Sequence, residues 1–186
     1  TAAEDSTTVT IDRDGNGSID ITQQLDRGET YAVPIADTVN AGATITSNKP
    51  VQVHIATGNA DSTYEGRWYA MVPVADWSND YYAPVETTVT DDTASVYVFN
   101  PDTTPLEVYY QTQTTSGSFT VGAGATVKRD LVLGQGAARF YTVGTLDPRP
   151  FLPVAAIDQS GTGTLATTVH DWGYPLIPVE NLLPSA

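Results

Sequence analysis

The chain has 186 residues, 40% of them hydrophobic, which is enough to bury the core of one large or two small domains. Twenty-two Asp and Glu against eight Lys and Arg give a net charge of -14, which argues against nucleic acid or an anionic membrane as a partner because phosphates would be repelled. The absence of cysteine excludes a disulfide scaffold and a thiolate metal site. The sequence contains no run of about 18 apolar residues, so it predicts no transmembrane segment.

The acidic residues are concentrated in the first half of the chain. Residues 1–92 contain 15 acidic and 4 basic residues, whereas residues 93–186 contain 7 and 4. An acidic surface with few lysines is typical of a protein bathed in high salt, where repulsion is screened within a few Å, and of an extracellular protein that collects divalent cations. The chain starts at Thr1 without a visible signal peptide, so we interpret it as a mature or excised segment whose targeting sequence has been removed.

Short alternating runs rich in Thr, Val and Tyr, with a turn about every 8–12 residues, predict an all-β chain without long helices. The strands predicted in the first half are Thr7 to Ile11, Ser18 to Leu25, Thr30 to Ile35, Ala43 to Thr46, Val51 to Thr57, Arg67 to Val74 and Tyr81 to Thr90. Those predicted in the second half are Ala94 to Phe99, Leu106 to Thr112, Ser118 to Val121, Thr126 to Leu133, Ala138 to Val143, Phe151 to Ile157 and Leu165 to His170. This spacing favours β-sandwiches.

Two turn-and-strand patterns recur about 100 residues apart, as expected of duplicated units. The matching stretches are Ser18-Ile19-Asp20-Ile21 with Ser118-Phe119-Thr120-Val121, and Ser47-Asn48-Lys49-Pro50-Val51 with Asp147-Pro148-Arg149-Pro150-Phe151. They predict two tandem β-sandwich units, Ig-like or jelly-roll-like, that arose by internal duplication. The predicted domains are residues 1–91 and residues 92–186, and they meet in the polar stretch Thr90-Asp91-Asp92-Thr93.

Four short motifs resemble the IgGFc-binding-protein N-terminal type of repeat, over about residues 15–160. They are Gly28-Glu29-Thr30-Tyr31, Ser47-Asn48-Lys49-Pro50-Val51, Val72-Pro73-Val74 and Val98-Phe99-Asn100-Pro101. The second copy departs from the pattern, with Asp147-Pro148-Arg149-Pro150 in place of the lysine-proline-valine turn. The resemblance implies β-rich modules of large secreted and cell-surface proteins that have no catalytic activity. It does not imply that the chain binds immunoglobulin.

The stretch from Asp12 to Asp20 has the spacing of a calcium-binding loop. Oxygen-bearing side chains stand at positions 1, 3, 5 and 9, namely Asp12, Asp14, Asn16 and Asp20, and the required glycine at position 6 is Gly17. Position 12 is Gln23, which cannot supply a bidentate carboxylate, and both flanks are predicted strands. The stretch therefore predicts a calcium site, or else an acidic β-hairpin loop with Asn-Gly turn chemistry.

The histidines and aromatic residues give two further hypotheses. Catalysis by His54, or by His170 with Asp171, is disfavoured because no nucleophile motif accompanies them, so we predict that the chain is not an enzyme. Clustered aromatic residues could form a sugar-binding platform, although neighbours in a strand point to opposite faces and one of each pair belongs to the core. The residues of the predicted platform are Trp68, Tyr69, Trp77 and Tyr82.

The C-terminal segment is apolar and interrupted by Pro175, Pro178 and Pro184, so it can join only the edge of a sheet or lie across one. We expect it to dock on the next subunit of an assembly rather than on its own sandwich. The residues predicted to make that contact are Tyr174, Leu176, Ile177, Val179, Leu182 and Leu183.

These features predict a non-catalytic, extracellular structural module of a cell-surface assembly such as a surface layer, a filament or an adhesin. We expect it to associate with itself or with neighbouring modules, to be stabilised by calcium and to be adapted to high salt. The alternative is a carbohydrate- or protein-binding adhesion module that uses exposed tryptophan and tyrosine residues.

Overall fold

The computed structural model describes residues 1–58, 66–83, 93–132, 136–157 and 172–182. The strands in these ranges are β1 (Thr7–Asp12), β2 (Ile21–Leu25), β3 (Thr44–Ser47), β4 (His54–Gly58), β5 (Gly66–Ala70), β6 (Asp80–Ala83), β7 (Thr93–Phe99), β8 (Leu106–Gln111), β9 (Ser116–Val121), β10 (Thr126–Val132), β11 (Ala138–Tyr141), β12 (Leu152–Ile157), β13 (Trp172–Pro175) and β14 (Ile177–Pro178). Two single 3-10 turns, Val74–Asp76 and Val179–Asn181, are the only helical elements of these ranges. The prediction of an all-β chain is confirmed.

The chain divides into two compact units, residues 1–54 and residues 55–186. This division differs from the predicted boundary between residues 91 and 92, which lies outside the described residues. The strands that flank the predicted boundary, β6 and β7, both belong to the second unit. The reason is that β6 pairs with β11, with Tyr81 opposite Phe140, so chain from before the predicted boundary is hydrogen-bonded into the same sheet as chain from after it.

The first unit is a small antiparallel sheet in the order β2-β1-β3. Strand β1 is central, and its alternation places Thr7, Val9 and Ile11 on the buried face. An isolated bridge between Ala2 and Val51 brings the two ends of the unit together. Its buried apolar side chains are those of Ala2, Val9 and Ile11, so this unit has a thin hydrophobic core.

The second unit is a β-sandwich of two antiparallel sheets, beside a two-stranded sheet of β4 and β5. The four-stranded sheet has the order β10-β7-β12-β13, and the five-stranded sheet has the order β14-β6-β11-β8-β9. One hydrophobic cluster contains side chains of both sheets, among them Val96 and Ala155 from the first and Val108 and Phe140 from the second. Buried positions alternate with half-buried or exposed ones along β8 and β11, as the pleat requires.

The path of the chain through the sandwich resembles that of a jelly roll. From β6 to β12, each strand lies in the sheet opposite to its predecessor, except that β8 and β9 form a hairpin within the five-stranded sheet. Jelly rolls combine two sheets through such crossed connections. Of the two architectures that the sequence predicts for its units, the second unit therefore has the jelly-roll-like one.

The predicted tandem duplication is not confirmed. Ile19 lies outside the strands and is 63% exposed, whereas its expected equivalent Phe119 lies within β9. Val51 forms the isolated bridge to Ala2, whereas Phe151 is fully buried beside β12. A three-stranded sheet and a two-sheet sandwich are different architectures, so the recurrence of short turn motifs does not reflect matching strands.

Buried polar groups fix the sandwich at two places. The Tyr81 hydroxyl donates to the Phe151 carbonyl at 2.8 Å and accepts the Ser78 amide at 2.6 Å, which ties one sheet to the other. Asn100, fully buried at the end of β7, donates to the carbonyls of Thr104, Val121 and Gly122 at 2.8 to 3.2 Å. Both side chains satisfy their polar groups within the protein, as buried polar groups must.

The C-terminal segment joins two sheet edges, as its prolines predict, but the sheets are those of its own sandwich. Strand β13 pairs with β12, and β14 pairs with β6 at the other sheet. Leu176, between the two strands, is 3% exposed and belongs to the core. The expectation that this segment is held by a neighbouring subunit is therefore wrong for Leu176, whose side chain lies in the core of its own unit, whereas Tyr174 is half-buried against that core.

The other residues predicted to make the assembly contact are more exposed or lie outside the described residues. Ile177, Val179 and Leu182 are 37 to 40% exposed, and Leu183 lies outside the described residues. No helical turn in the described ranges has the length and apolar character needed to cross a membrane.

Candidate metal centre

The predicted calcium loop connects β1 to β2 and begins at Asp12, the last residue of β1. Gly15 and Gly17 have φ angles of +70° and +86°, in the left-handed region that favours glycine. These two positions let the chain curl around the Asp12 carboxylate. The Asp-x-Asp-Gly-Asn-Gly pattern therefore forms a compact loop because glycine stands where the backbone turns back on itself.

Asp12 is the centre of the loop. One carboxylate oxygen, Oδ1, accepts hydrogen bonds from the amides of Gly15 at 2.8 Å and Asp14 at 3.3 Å, and Oδ2 accepts one from Gly17 at 2.7 Å. Burial of the carboxyl raises the pKa of Asp12, but these amide donors together outweigh burial and hold the pKa below its ordinary value. The carboxylate is therefore ionised at neutral pH and fixed in direction.

The loop contains three further polar residues of the predicted site, Asp14, Asn16 and Asp20. Asp14 accepts the Asn16 amide at 3.2 Å and its side-chain nitrogen at 2.9 Å, while Asp20 accepts the Arg13 amide at 2.7 Å. Asp12, Asp14 and Asp20 each offer one carboxylate oxygen such that the three oxygens lie within 4.8 Å of one another. Three carboxylates so close together repel one another, and a divalent cation between them would relieve that repulsion.

The sequence spacing does not extend to an EF-hand. Gln23, at the twelfth position, lies in β2 directly opposite Val9 of β1. Val9 is three residues before Asp12, so Gln23 is about 10 Å along the strand from the centre of the loop. Any cation here would be held by the hairpin loop itself, with oxygen atoms from water or backbone carbonyls in the remaining positions.

Two features of the loop could not be predicted from its own sequence. The Arg13 guanidinium lies 3.8 Å from Asp20 and 3.6 Å from Asp37, a residue of the distant segment that follows β2. This segment and the loop line an open pocket of about 320 Å³, which contains Arg13, Asp14, Asp20, Asp37 and Asn40. Arg13 is the counter-charge nearest to the loop, so a bound cation would compete with it for Asp20.

The second feature is a close approach between two backbones. A Cβ atom on Gly15 would lie 2.7 Å from the carbonyl oxygen of Gly42, a distance that real Cβ atoms do not reach. The Asn40 amide donates to the Arg13 carbonyl at 2.8 Å in the same region. The segment around residues 40–42 thus supports the loop from outside, and no local sequence signal identifies it.

The four residues of the predicted aromatic platform have different environments. Trp68 is 65% exposed, but Tyr69 beside it in β5 is buried, because neighbours in a strand face opposite ways. Trp77 donates its indole N–H to the Val72 carbonyl at 3.1 Å and packs edge-on against Phe99 at 6.3 Å. Tyr82 is half-buried in β6. The buried ring of Tyr69 cannot contribute to an exposed platform.

His54 is half-buried at the start of β4, and His170 and Asp171 lie outside the described residues. Comparisons of the chain with family models, with curated proteins and with solved structures found no match. The resemblance to the IgGFc-binding-protein type of repeat therefore stays a prediction that rests on the short motifs.

Proposed function

We propose that the chain is a non-catalytic structural module of an extracellular surface assembly, and that calcium bound by the loop from Asp12 to Asp20 stabilises its first unit. The observation that carries the calcium proposal is the convergence of three carboxylate oxygens within 4.8 Å in a loop with calcium-binding spacing. Calcium is favoured over magnesium because a hairpin loop supplies irregular oxygen positions, which Ca²⁺ tolerates and the strictly octahedral Mg²⁺ does not.

The size of the first unit supports a role for the ion in stability. Units below about 70 residues rarely obtain enough stability from a hydrophobic core and are commonly held by disulfides or metals. This unit has 54 residues, few buried apolar side chains and no cysteine. Its eight acidic and three basic residues give a net charge of -5, so a bound cation also reduces its internal repulsion.

The extracellular assembly role is supported by composition and fold class rather than by any one site. An acidic, lysine-poor β-sandwich suits a surface exposed to concentrated salt and divalent ions. Sugar binding by the predicted aromatic platform has less support, because Tyr69 is buried and the Trp77 indole is engaged with Val72. Labelling of intact cells of the source organism with an antibody against this chain tests the location, and labelling that requires cell lysis would contradict it.

The calcium site is tested by scanning calorimetry of the full chain in EDTA and in millimolar CaCl₂. At a free calcium concentration of 100 times the dissociation constant, binding stabilises the folded unit by about 2.7 kcal/mol. For a small domain, this amounts to a rise in the melting midpoint of about 10 °C or more. Asp14→Asn should abolish the rise. Glu4→Gln is the matched control, since it removes one exposed negative charge of the same unit outside the loop and should leave the rise unchanged.

The same scans as a function of pH test the role of Asp12 in the stability of the first unit. The pKa of Asp12 is lower in the folded chain than in the unfolded one, so its contribution to stability is present above the unfolded value of about 3.9 and is lost as the pH falls through the folded value. Protonation also releases a bound cation. An identical midpoint in EDTA and in calcium at neutral pH would mean that the loop is an ordinary acidic hairpin.

A further inference from the structure

Strand β9 forms one outer edge of the five-stranded sheet, and half of its backbone groups point away from the sheet. The Thr112 amide donates to the Thr115 carbonyl at 2.8 Å, which fixes the hydrogen-bonding phase of the β8–β9 hairpin. Antiparallel ladders alternate, so Gly117, Phe119 and Val121 bond to β8, whereas the N–H and C=O groups of Ser116, Ser118 and Thr120 face outward. These three residues are exposed.

The other three outer strands of the two sheets carry features that block pairing with another strand. Strand β10 has the three consecutive charges Lys128, Arg129 and Asp130, and β13 and β14 contain Pro175 and Pro178. Charges and prolines are the usual means by which edge strands avoid association. Strand β9 has six residues, Ser-Gly-Ser-Phe-Thr-Val, and contains neither a charge nor a proline. Within the described part of the sandwich, it is the outer strand open to a partner.

We propose that β9 pairs antiparallel with β9 of a second copy of this chain, so that the five-stranded sheets of two molecules become one continuous sheet. An exposed row of backbone donors and acceptors is satisfied by an extended strand, and two identical edges satisfy each other around a two-fold axis. Ser118 is the middle one of the three residues whose backbone groups face outward, so the two-fold axis passes beside it. Ser118 then faces Ser118 of the second copy, and Ser116 faces Thr120, which gives about six new hydrogen bonds.

The side chains permit this register. Gly117 would lie opposite Phe119 of the second copy, so a large side chain meets the smallest one, and no charged pair meets at the centre of the contact. Two chains of net charge -14 repel each other, and repulsion weakens as the screening length falls from about 10 Å at 0.1 M salt to about 3 Å at 1 M. Pairing should therefore strengthen with salt. This inference rests on the proposed module of a surface assembly and names a strand through which copies of the module would associate.

Disulfide trapping tests the register directly, because the chain has no cysteine. In the proposed pair the two Ser118 Cα atoms lie about 5.5 Å apart, within the range that a disulfide spans. Mild oxidation of Ser118→Cys in 2 M NaCl should give a covalent dimer in more than half of the chains. Thr120→Cys is the matched control on the same face of the same strand. Two copies of it lie about 14 Å apart in this register, so it should give at least tenfold less dimer.

Loss of pairing is tested by sedimentation equilibrium at 0.1 M and 2 M NaCl. Ser118→Pro removes an amide that faces outward and leaves the β8 ladder intact, and Ser118→Lys adds a charge to the edge; both should weaken the dimer at least tenfold. Gln111→Lys adds the same charge to β8, which is paired on both sides, and should not. Circular dichroism identifies variants that fail to fold, and Ser118→Lys then replaces Ser118→Pro.

The outcomes separate this inference from the proposed function. Association that persists in Ser118→Lys, together with equal trapping of Ser118→Cys and Thr120→Cys, would overturn pairing through β9 and leave self-association through another surface. A chain that stays monomeric at millimolar concentration in 2 M NaCl would overturn pairing through β9 together with any assembly built from copies of this chain alone, and would leave the calcium proposal standing. A dimer that is trapped at Ser118 and lost in Ser118→Lys, with Gln111→Lys unaffected, supports both.

Discussion

Replacing Leu176 by alanine tests how the C-terminal segment is used. Leu176 is 3% exposed and lies in the core cluster of its own sandwich, whereas Ile177, its neighbour in sequence, is 40% exposed on β14. Truncating a buried leucine to alanine costs about 2–5 kcal/mol, from lost burial and from the cavity that remains. Ile177→Ala removes a similar number of atoms from a half-exposed position and should cost below about 1 kcal/mol. The adjacent pair is therefore a matched test of burial.

The measurement is urea unfolding followed by tryptophan fluorescence. Trp68, Trp77 and Trp172 are the three tryptophans of the chain, and all belong to the second unit, so the signal reports on the sandwich. With a slope of about 2 kcal/mol per molar urea, Leu176→Ala should lower the unfolding midpoint by about 1–2.5 M. Ile177→Ala should lower it by less than about 0.5 M.

Equal midpoints for the two variants would refute this account of the segment. A Leu176→Ala chain that keeps its midpoint but no longer associates would restore the original expectation that the segment docks on a neighbouring subunit. The outcome therefore decides whether the apolar tail completes a domain or joins two molecules.

Three further predictions concern the loop and the buried polar groups. Gly15→Ala should unfold the loop and weaken calcium binding at least tenfold in calcium titrations, because its Cβ would collide with the Gly42 carbonyl. Gly17→Ala introduces the same backbone strain but has open space around it, so it should weaken binding less. Burial raises the pKa of Tyr81 to about 12, so the folded chain holds a proton that the unfolded chain loses near pH 10. Stability to urea should therefore fall as the pH rises from 10 to 12, and Tyr81→Phe should reduce that dependence, while Tyr69 and Tyr109, whose pKa values are also raised, keep the remainder. Asn100→Asp should destabilise the sandwich by about 3 kcal/mol or more in the same assay, because a carboxylate replaces the amide that donates to three carbonyls.

The loop was predictable because its candidate ligands are close together in the sequence. The spacing of Asp12, Asp14 and Asp20 and the two glycines determines a local turn, and local turns depend on few distant contacts. The approach of Gly42 to Gly15 and of Asp37 to Arg13 was not predictable, because these contacts join residues more than 20 positions apart. The residues around Gly42 and Asp37 form no sequence motif that would indicate a contact with Gly15 or Arg13.

The strands show the same limit. The alternation of β1 and the edge position of the proline-broken C-terminal segment follow from side-chain period and from the missing proline amides. Which sheet the C-terminal segment joins could not be predicted, because that depends on which sheet edge lies near the segment in the folded chain. The predicted domain boundary failed for a related reason. A change in composition near residue 91 marks where charge changes, whereas a domain boundary is set by contacts such as those of β6 with β11.

The two units have different sources of stability, and this difference gives the proposals a common physical basis. The sandwich has a large apolar core tied by Tyr81 and Asn100, so its stability should depend little on calcium. The first unit buries few apolar side chains and brings three carboxylates together in one loop, so its stability should depend strongly on calcium and on salt. Tryptophan fluorescence is blind to the first unit, which contains no tryptophan. Calcium should therefore move the calorimetric transition of the first unit while leaving the fluorescence midpoint in place, and equal shifts in both would mean that the two units unfold together.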